Sequence, residues 1–170
     1  MTDIKIWQEH KGVILDNVNG FDVIECQKCS FKHIIPIPTE EELKTIYRHI
    51  YYTEDKPLYL ERIREDLEWW NTVYSELYES FEEFLPPDRR SILDVGSGPG
   101  FFLLHGKKRG WKTMGIELSA RAVEHSRNLG LNILEDFFTE QTAKRLDHVD
   151  VIHMSEVLEH IPNPRTLLAI

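Results

Sequence analysis

Cysteine and positive charge are both scarce in this 170-residue chain. Only Cys26 and Cys29 occur, too few for the disulfide framework of a small secreted domain, and their two-residue gap suits a metal or redox pair. Twenty Lys and Arg face 29 Asp and Glu, a formal net charge of −9. Neutralising a phosphate backbone requires the opposite sign, so DNA and RNA are excluded as expected partners and a small molecule or protein is favoured. Long apolar runs are also missing. FFLL at 101–104 falls far short of the roughly 20 residues of a membrane span, and MTDIKIWQEHKG at the start has no secretory charged and apolar regions. The expectation is a soluble, cytoplasmic protein with no membrane partner. Low-complexity stretches and internal repeats are absent, and 41% hydrophobic with 11% aromatic residues is enough for a real core.

Three regions differ in their grammar. Residues 1–38 read as a small β appendage: IKIW, GVILD and FDVIEC are short extended pieces, and Asn19-Gly20 supplies a hairpin turn. Residues 39–87 read as a helical lead-in. Thr39 with Glu42 has the capping-box pattern and opens a short helix to about 49. From 58 to 85 the apolar positions Leu60, Ile63, Leu67, Trp70, Tyr74, Leu77, Phe81 and Phe84 alternate spacings of three and four, which predicts one long amphipathic helix with an acidic outer face. Pro86-Pro87 ends it. Its stripe suits packing on a sheet flank or a coiled-coil seam, and Tyr51 and Tyr52 before it are placed to cover a cleft as a lid.

Residues 88–170 alternate strand and helix: SILDV, helix 100–109, KTMGIE, helix 119–129, NILE, helix 139–146, VDVIHM, and a helix opening near Pro164. Such alternation predicts an α/β, Rossmann-like parallel sheet with helices on both faces. In LDVGSGPG a buried strand runs into Gly96, Ser97, Gly98 and Gly100, where glycines permit positive φ and let a ligand approach the backbone. The helix that follows points free amides at that ligand. A dinucleotide fingerprint needs its third glycine at the sixth position, where Phe101 or Leu103 stands instead, and no Gly-Lys-Ser/Thr follows. NAD, FAD and P-loop nucleotides are therefore disfavoured, and with NAD goes an oxidoreductase reading.

An acid followed by three glycines at alternate positions, Asp94, Gly96, Gly98 and Gly100, resembles motif I of class I S-adenosyl-L-methionine-dependent methyltransferases. Three further motifs arrive in order over residues 88–170. The resemblance implies that Glu117 in MGIELS accepts the ribose hydroxyls and Leu118 packs on adenine. It implies likewise that Asp136 in LEDFF takes the adenine amino group beside the Phe137 amide. In VDVIHMSEVLEHIPNP the backbone near Met154 and Ser155 would meet the amino group of the cofactor. Singly, each residue has an ordinary structural role open to it; the ordered set points to S-adenosyl-L-methionine.

The phrase SEVLEHIPNP is similar to one in ubiquinone-biosynthesis O-methyltransferases, where the matching Glu, Glu and His bind magnesium. Glu156, Glu159 and His160 stand at i, i+3 and i+4, which would share one helical face; a purely structural role in the loop stays open. The segment from Cys26 and Cys29 onward resembles the N-terminal zinc module ahead of some methyltransferases of modified sugars, which normally supplies an earlier cysteine pair. None exists here. His10 and His33 would complete four ligands at spacings unlike a standard finger, and a degenerate module with two free thiols is the alternative.

The resemblance implies methyl transfer to a small-molecule acceptor, with no catalytic residue assigned. A non-catalytic binding or regulatory module with the same fold is the second expectation; the intact acid set Asp94, Glu117 and Asp136 favours the enzyme. The family's sheet has seven strands, and this chain ends at 165–170 after the fourth. The expected strand order is 3-2-1-4, C-terminally incomplete, with the fourth strand an open edge that invites a homodimer, as the long helix also would.

Overall fold

The computed structural model describes residues 9–170, with every side chain there except those of Glu40, His49, Tyr52, Thr53 and Asp55. The expected IKIW piece lies outside the described residues, as does the side chain of Tyr52. Two compact units divide the chain, one ending at Leu43 and one running from Lys44 to Ile170.

The first unit is an antiparallel meander of β1 (Gly12–Val18), β2 (Phe21–Cys26) and β3 (Lys32–Ile35) in that order. Asn19 and Gly20 turn between β1 and β2 with φ of 53° and 84°, the left-handed pair that matches the twist of the flanking strands. A bulge between Ile14 and Asp16 shifts the register. β3 was not expected, because KHII sits between a cysteine turn and two prolines. Leading into α1 (Glu40–Thr45), Thr39 and Glu42 form the anticipated box: Glu42 N–H donates to Thr39 Oγ1 (3.2 Å), and Thr39 N–H donates to Glu42 Oε2 (2.7 Å).

In the second unit a π-helical segment, Ile46–Asp55, replaces the expected loop around Tyr51 and Tyr52. The long helix is two: α2 (Tyr59–Glu65) and α3 (Leu67–Phe84). The break falls at Asp66 (φ −94°, ψ 11°), a residue type that competes with the helix backbone and prefers its start. The apolar stripe passes through this break without a gap in spacing, which is why it conceals the break. Its far end also departs from expectation, since Phe84 is exposed while Tyr78, off the stripe, is fully buried.

After a 3₁₀ turn at Pro87–Arg89 come β4 (Ser91–Val95), α4 (Phe101–Lys108), β5 (Lys112–Glu117), α5 (Ala120–Asn128), β6 (Asn132–Glu135), α6 (Glu140–Ala143), β7 (Val151–His153) and α7 (Pro164–Leu167). The four strands pair in parallel in the order β6-β5-β4-β7, the expected 3-2-1-4. Alternating residues send Ile92 to one face, with Phe102, Leu103, Val123 and Tyr78, and Leu93 and Val95 to the other, with Ile116, Phe138 and Leu167. Both faces are covered over β4 and β5, as a parallel sheet requires, while Ile152 of β7 stays exposed.

α3 is locked to the first face. Tyr78 stacks on Phe102 at 4.8 Å and meets Trp111 edge-on at 5.2 Å, while its hydroxyl donates to the Phe102 carbonyl (3.3 Å). Burying such a ring is worth roughly 2–3 kcal/mol. Beside it, Glu82 accepts from Arg109 Nε and Nη2 (3.0 and 2.9 Å) and from the Trp111 indole (2.9 Å). These bonds hold its carboxyl down at about 2, against the cost of burial.

Candidate functional site

The site is assembled at the carboxyl ends of the parallel strands, where connections run out to helices and leave a crevice. From Val95 the chain turns through Gly96, Gly98 and Gly100, with φ of 72°, 51° and 79°, and Gly100 caps α4. A side chain would be strained at each. At Gly100 a Cβ would also lie 2.6 Å from Leu131 Cδ1 and Ser126 Oγ, and at Gly96 one would lie 2.7 Å from Val157 Cγ2. Gly96 and Ser97 donate to the Ile116 carbonyl (2.8 and 3.1 Å), and Ser126 Oγ donates to the Gly98 carbonyl (3.1 Å). The loop is thus clamped from β5 and α5 while the first turn of α4 leaves its amides without intrahelical acceptors.

Glu117 is the clasp. Its Oε2 accepts from Gly98 N–H (2.8 Å), and its Oε1 accepts from Leu118 N–H (2.9 Å) and Ser119 N–H (2.8 Å). Burial pushes this carboxyl up, and the three amides oppose that. Of roughly four lone-pair positions on a carboxylate, three are engaged, which leaves Oε2 the freer oxygen for an incoming hydroxyl. Ser97 Oγ is buried with no hydrogen-bond partner among the described residues.

Asp94, buried one residue before the loop, accepts from His153 Nδ1 at 2.7 Å. Burial raises this carboxyl and His153 opposes the rise. His153 stacks on Phe102 at 4.1 Å. Sequence reasoning missed His153; the signal was register, since the parallel pairing of β4 with β7 sets Asp94 beside His153, the last residue of β7.

Asp136 Oδ1 accepts the Phe137 amide (2.8 Å), and Arg145 lies 3.6 Å from its other oxygen. Phe137 is half-buried, with the Lys44 ammonium 5.5 Å from its ring centroid. Leu118 is half-buried and Ser155 exposed.

An aromatic group that the sequence hinted at only through Tyr51 gathers nearby. Tyr47 lies 5.5 Å from Tyr51 and 5.8 Å from His160, Tyr51 lies 6.4 Å from Tyr59, and Lys56 sits over Tyr51 and Tyr59. Burial first, then Tyr51 and the carboxylates of Glu159 and Glu117, push the Tyr47 phenol up to about 12. Burial, Tyr51, Glu117 and Glu156 do the same to Tyr59. Both remain hydrogen-bond donors at neutral pH. Tyr47 and Tyr59 escaped the sequence reading because they lie on different elements.

The expected helical face of Glu156, Glu159 and His160 does not form. Glu156 is left-handed (φ 54°) and only a single 3₁₀ turn, Leu158–His160, follows, so i, i+3 and i+4 do not align. Among the described residues, the one grouping of three or more His, Cys, Asp or Glu able to hold a metal is elsewhere: His10, Cys26, Cys29 and His33 of the first unit, with ligand atoms all within 4.8 Å of one another. Burial opposes ionisation of Cys26, but the Cys29 amide, His33, the Lys28 amide and the Cys29 thiol together bring it down to about 6.

A family model described as "Methyltransferase domain" matches residues 64–170. Among curated relatives, the ubiquinone biosynthesis O-methyltransferase of Actinobacillus pleuropneumoniae serotype 7 (strain AP76) is 33% identical over 89 residues, covering 46% of this chain and 38% of that protein. Its counterpart in Histophilus somni (strain 2336) is 33% identical over 89 residues, covering 46% and 37%. The chain therefore spans well under half the length of these relatives. Among solved structures, the plantazolicin methyltransferase BpumL in complex with SAH superposes with a TM-score of 0.54 at 21% identity, covering 75% of this chain and 50% of that one. The plantazolicin methyltransferase BamL, in complex with a triazolic desmethylPZN analog and SAH, gives 0.55 at 20% identity, covering 74% and 48%. Likeness at these identities bears on the fold.

Proposed function

The chain belongs to the methyltransferase-domain family, and from that premise we propose that it forms the S-adenosyl-L-methionine-binding part of a methyltransferase acting on a small-molecule acceptor. One observation carries the reading: a buried carboxylate, Glu117, reaches back to the amide of Gly98 in a loop of three left-handed glycines at a helix start. The unpartnered Ser97 hydroxyl and the freer Oε2 of Glu117 are polar groups suited to a bound nucleoside.

In this reading Glu117 Oε2 takes a ribose hydroxyl, the first-turn amides of α4 and the Gly96–Gly100 backbone meet the amino-acid end, and Leu118, Asp136 and Phe137 line the adenine. Asp94 with His153 holds the end of β4 beside β7, and the Ser155 backbone lies next to the amino group. When bound, S-adenosyl-L-methionine would supply an electrophilic methyl on a sulfonium whose leaving group is a neutral thioether. The protein's task is therefore to orient the acceptor and exclude water. Tyr47, Tyr51 and Tyr59 supply an apolar wall with phenolic donors for that purpose.

The relatives are O-methyltransferases, which supports oxygen as the methylated atom, and the net charge of −9 argues against a nucleic acid acceptor. No helix among the described residues is long and apolar enough to cross a membrane. The outer edge of β7, with Ile152 52% exposed, supports self-association, which light scattering of the purified chain would detect. Calorimetry with S-adenosyl-L-methionine, S-adenosylhomocysteine and NAD tests the cofactor. One-to-one heat from the first two and none from NAD is expected; the reverse pattern, or no heat at all, overturns the proposal.

A further inference from the structure

We propose that His10, Cys26, Cys29 and His33 form a closed tetrahedral zinc site that holds the small β unit together. The inference stands apart from the methyl-transfer reading, since all four residues lie before Leu43.

Geometry is the first support. Zinc bound at about 2.3 Å to sulfur and about 2.0–2.1 Å to nitrogen spaces its tetrahedral donors roughly 3.3–3.8 Å apart. His10 Nδ1 lies 3.2 Å from His33 Nε2 and 3.4 Å from Cys26 Sγ, so two edges of the tetrahedron are already close to that size. All the ligand atoms fall within 4.8 Å of one another. Small side-chain rotations close the remaining edges.

The surroundings prepare these atoms as ligands. Cys26 ends β2, and a turn closed by Ser30 N–H to the Cys26 carbonyl (3.0 Å), with Ser30 left-handed at φ 65°, returns Cys29 to the same side. His33 Nδ1 lies 2.9 Å from the Ile34 carbonyl. That carbonyl can only accept, so Nδ1 carries the proton and Nε2 presents its lone pair to the cluster.

The second support is what the unit lacks. Between residues 9 and 43 the buried apolar side chains are Ile24, Cys26 and Leu43, while Val13, Ile14, Leu15, Val18 and Ile34 are exposed. A unit of this size with so little core needs a staple, and both cysteines are free thiols. Two sulfurs and two imidazoles select zinc over magnesium or calcium. With four protein ligands and no open position, the role is structural. Zinc binds both cysteines as thiolates, any thiol proton passing to solvent, and the two thiolates neutralise the dication.

The test uses the 170-residue chain purified under reducing conditions without chelator. One zinc per chain is expected by elemental analysis. Replacement by cobalt should give the strong visible bands of a tetrahedral ion together with thiolate-to-cobalt charge transfer. Cys29→Ser and His33→Ala should each weaken metal affinity by about 100-fold or more. A folded wild-type chain without stoichiometric zinc and without cobalt bands overturns the proposal. Cobalt bound without sulfur charge transfer overturns it equally, as does undiminished metal content in both variants. Should either variant fail to fold, the wild-type cobalt spectrum decides alone.

Discussion

From Lys44 onward, apolar side chains meet on both faces of a four-stranded sheet. In the unit that ends at Leu43, three strands leave Val13, Ile14, Leu15 and Val18 exposed and bury little besides Ile24 and Cys26. The difference teaches where cooperativity resides. In the larger unit stability is spread over many contacts, so one polar deletion removes a small share. In the smaller unit the proposed zinc site would concentrate it in four side chains around one point.

Metal removal should separate the two units most sharply. Structural zinc contributes on the order of 10 kcal/mol to small folds, so chelation should abolish hydrogen-exchange protection across residues 12–35 while β4, β5 and β6 stay protected. Equal loss in both units, or none in the first, would break the comparison. Within the larger unit, Gly106→Ala probes packing next. Alanine ordinarily improves a helix interior, but here its Cβ would lie 2.1 Å from the Tyr78 hydroxyl. The overpacked variant should lose about 2 kcal/mol in denaturant unfolding, and a gain in stability would show that α3 is not held tightly on α4.

Glu82→Gln tests the bridge from α3 to the sheet. It should cost about 2 kcal/mol at neutral pH, since it weakens charge-assisted bonds to Arg109. The Glu82 carboxyl sits at about 2 in the folded chain against an ordinary 4.5, so its stabilisation is complete above 4.5 and lost as pH falls from there toward 2. The gap between wild type and variant should therefore close across that window; a gap independent of pH would assign the effect to something else. Smallest is Ser119→Ala. It removes the side-chain cap on Ala122 N–H at the start of α5 and should lower stability by about 1 kcal/mol in the same unfolding assay.

The comparison also explains what could be read in advance. From 88 onward, strands, order and glycine loop were legible because Gly96 follows β4, Gly110 and Gly130 mark the turns into β5 and β6, and apolar runs are continuous where both faces are buried. KTMGIE and NILE fall on β5 and β6 to the residue. The break at Asp66 was hidden because periodicity records side-chain spacing and not backbone torsion. Glu156 at φ 54° misled for the same reason: spacing implies a shared face only where the backbone is helical. Asp94 with His153 depends on register between strands, which local pattern does not encode. His10, Cys26, Cys29 and His33 were named from the sequence as four ligands, but their convergence depends on chain reversal, which their spacing does not show.

The central claim is that the glycine loop and Glu117 hold S-adenosyl-L-methionine. Titrating isotope-labelled chain with S-adenosylhomocysteine, while following amide resonances, tests it most directly. The account predicts saturable shifts at Gly96, Gly98, Gly100, Leu118 and Ser119, with at least about 100-fold weaker binding in Glu117→Ala, where a buried charged acceptor is lost. Unmoved loop amides, or shifts confined to other parts of the sheet, would contradict it.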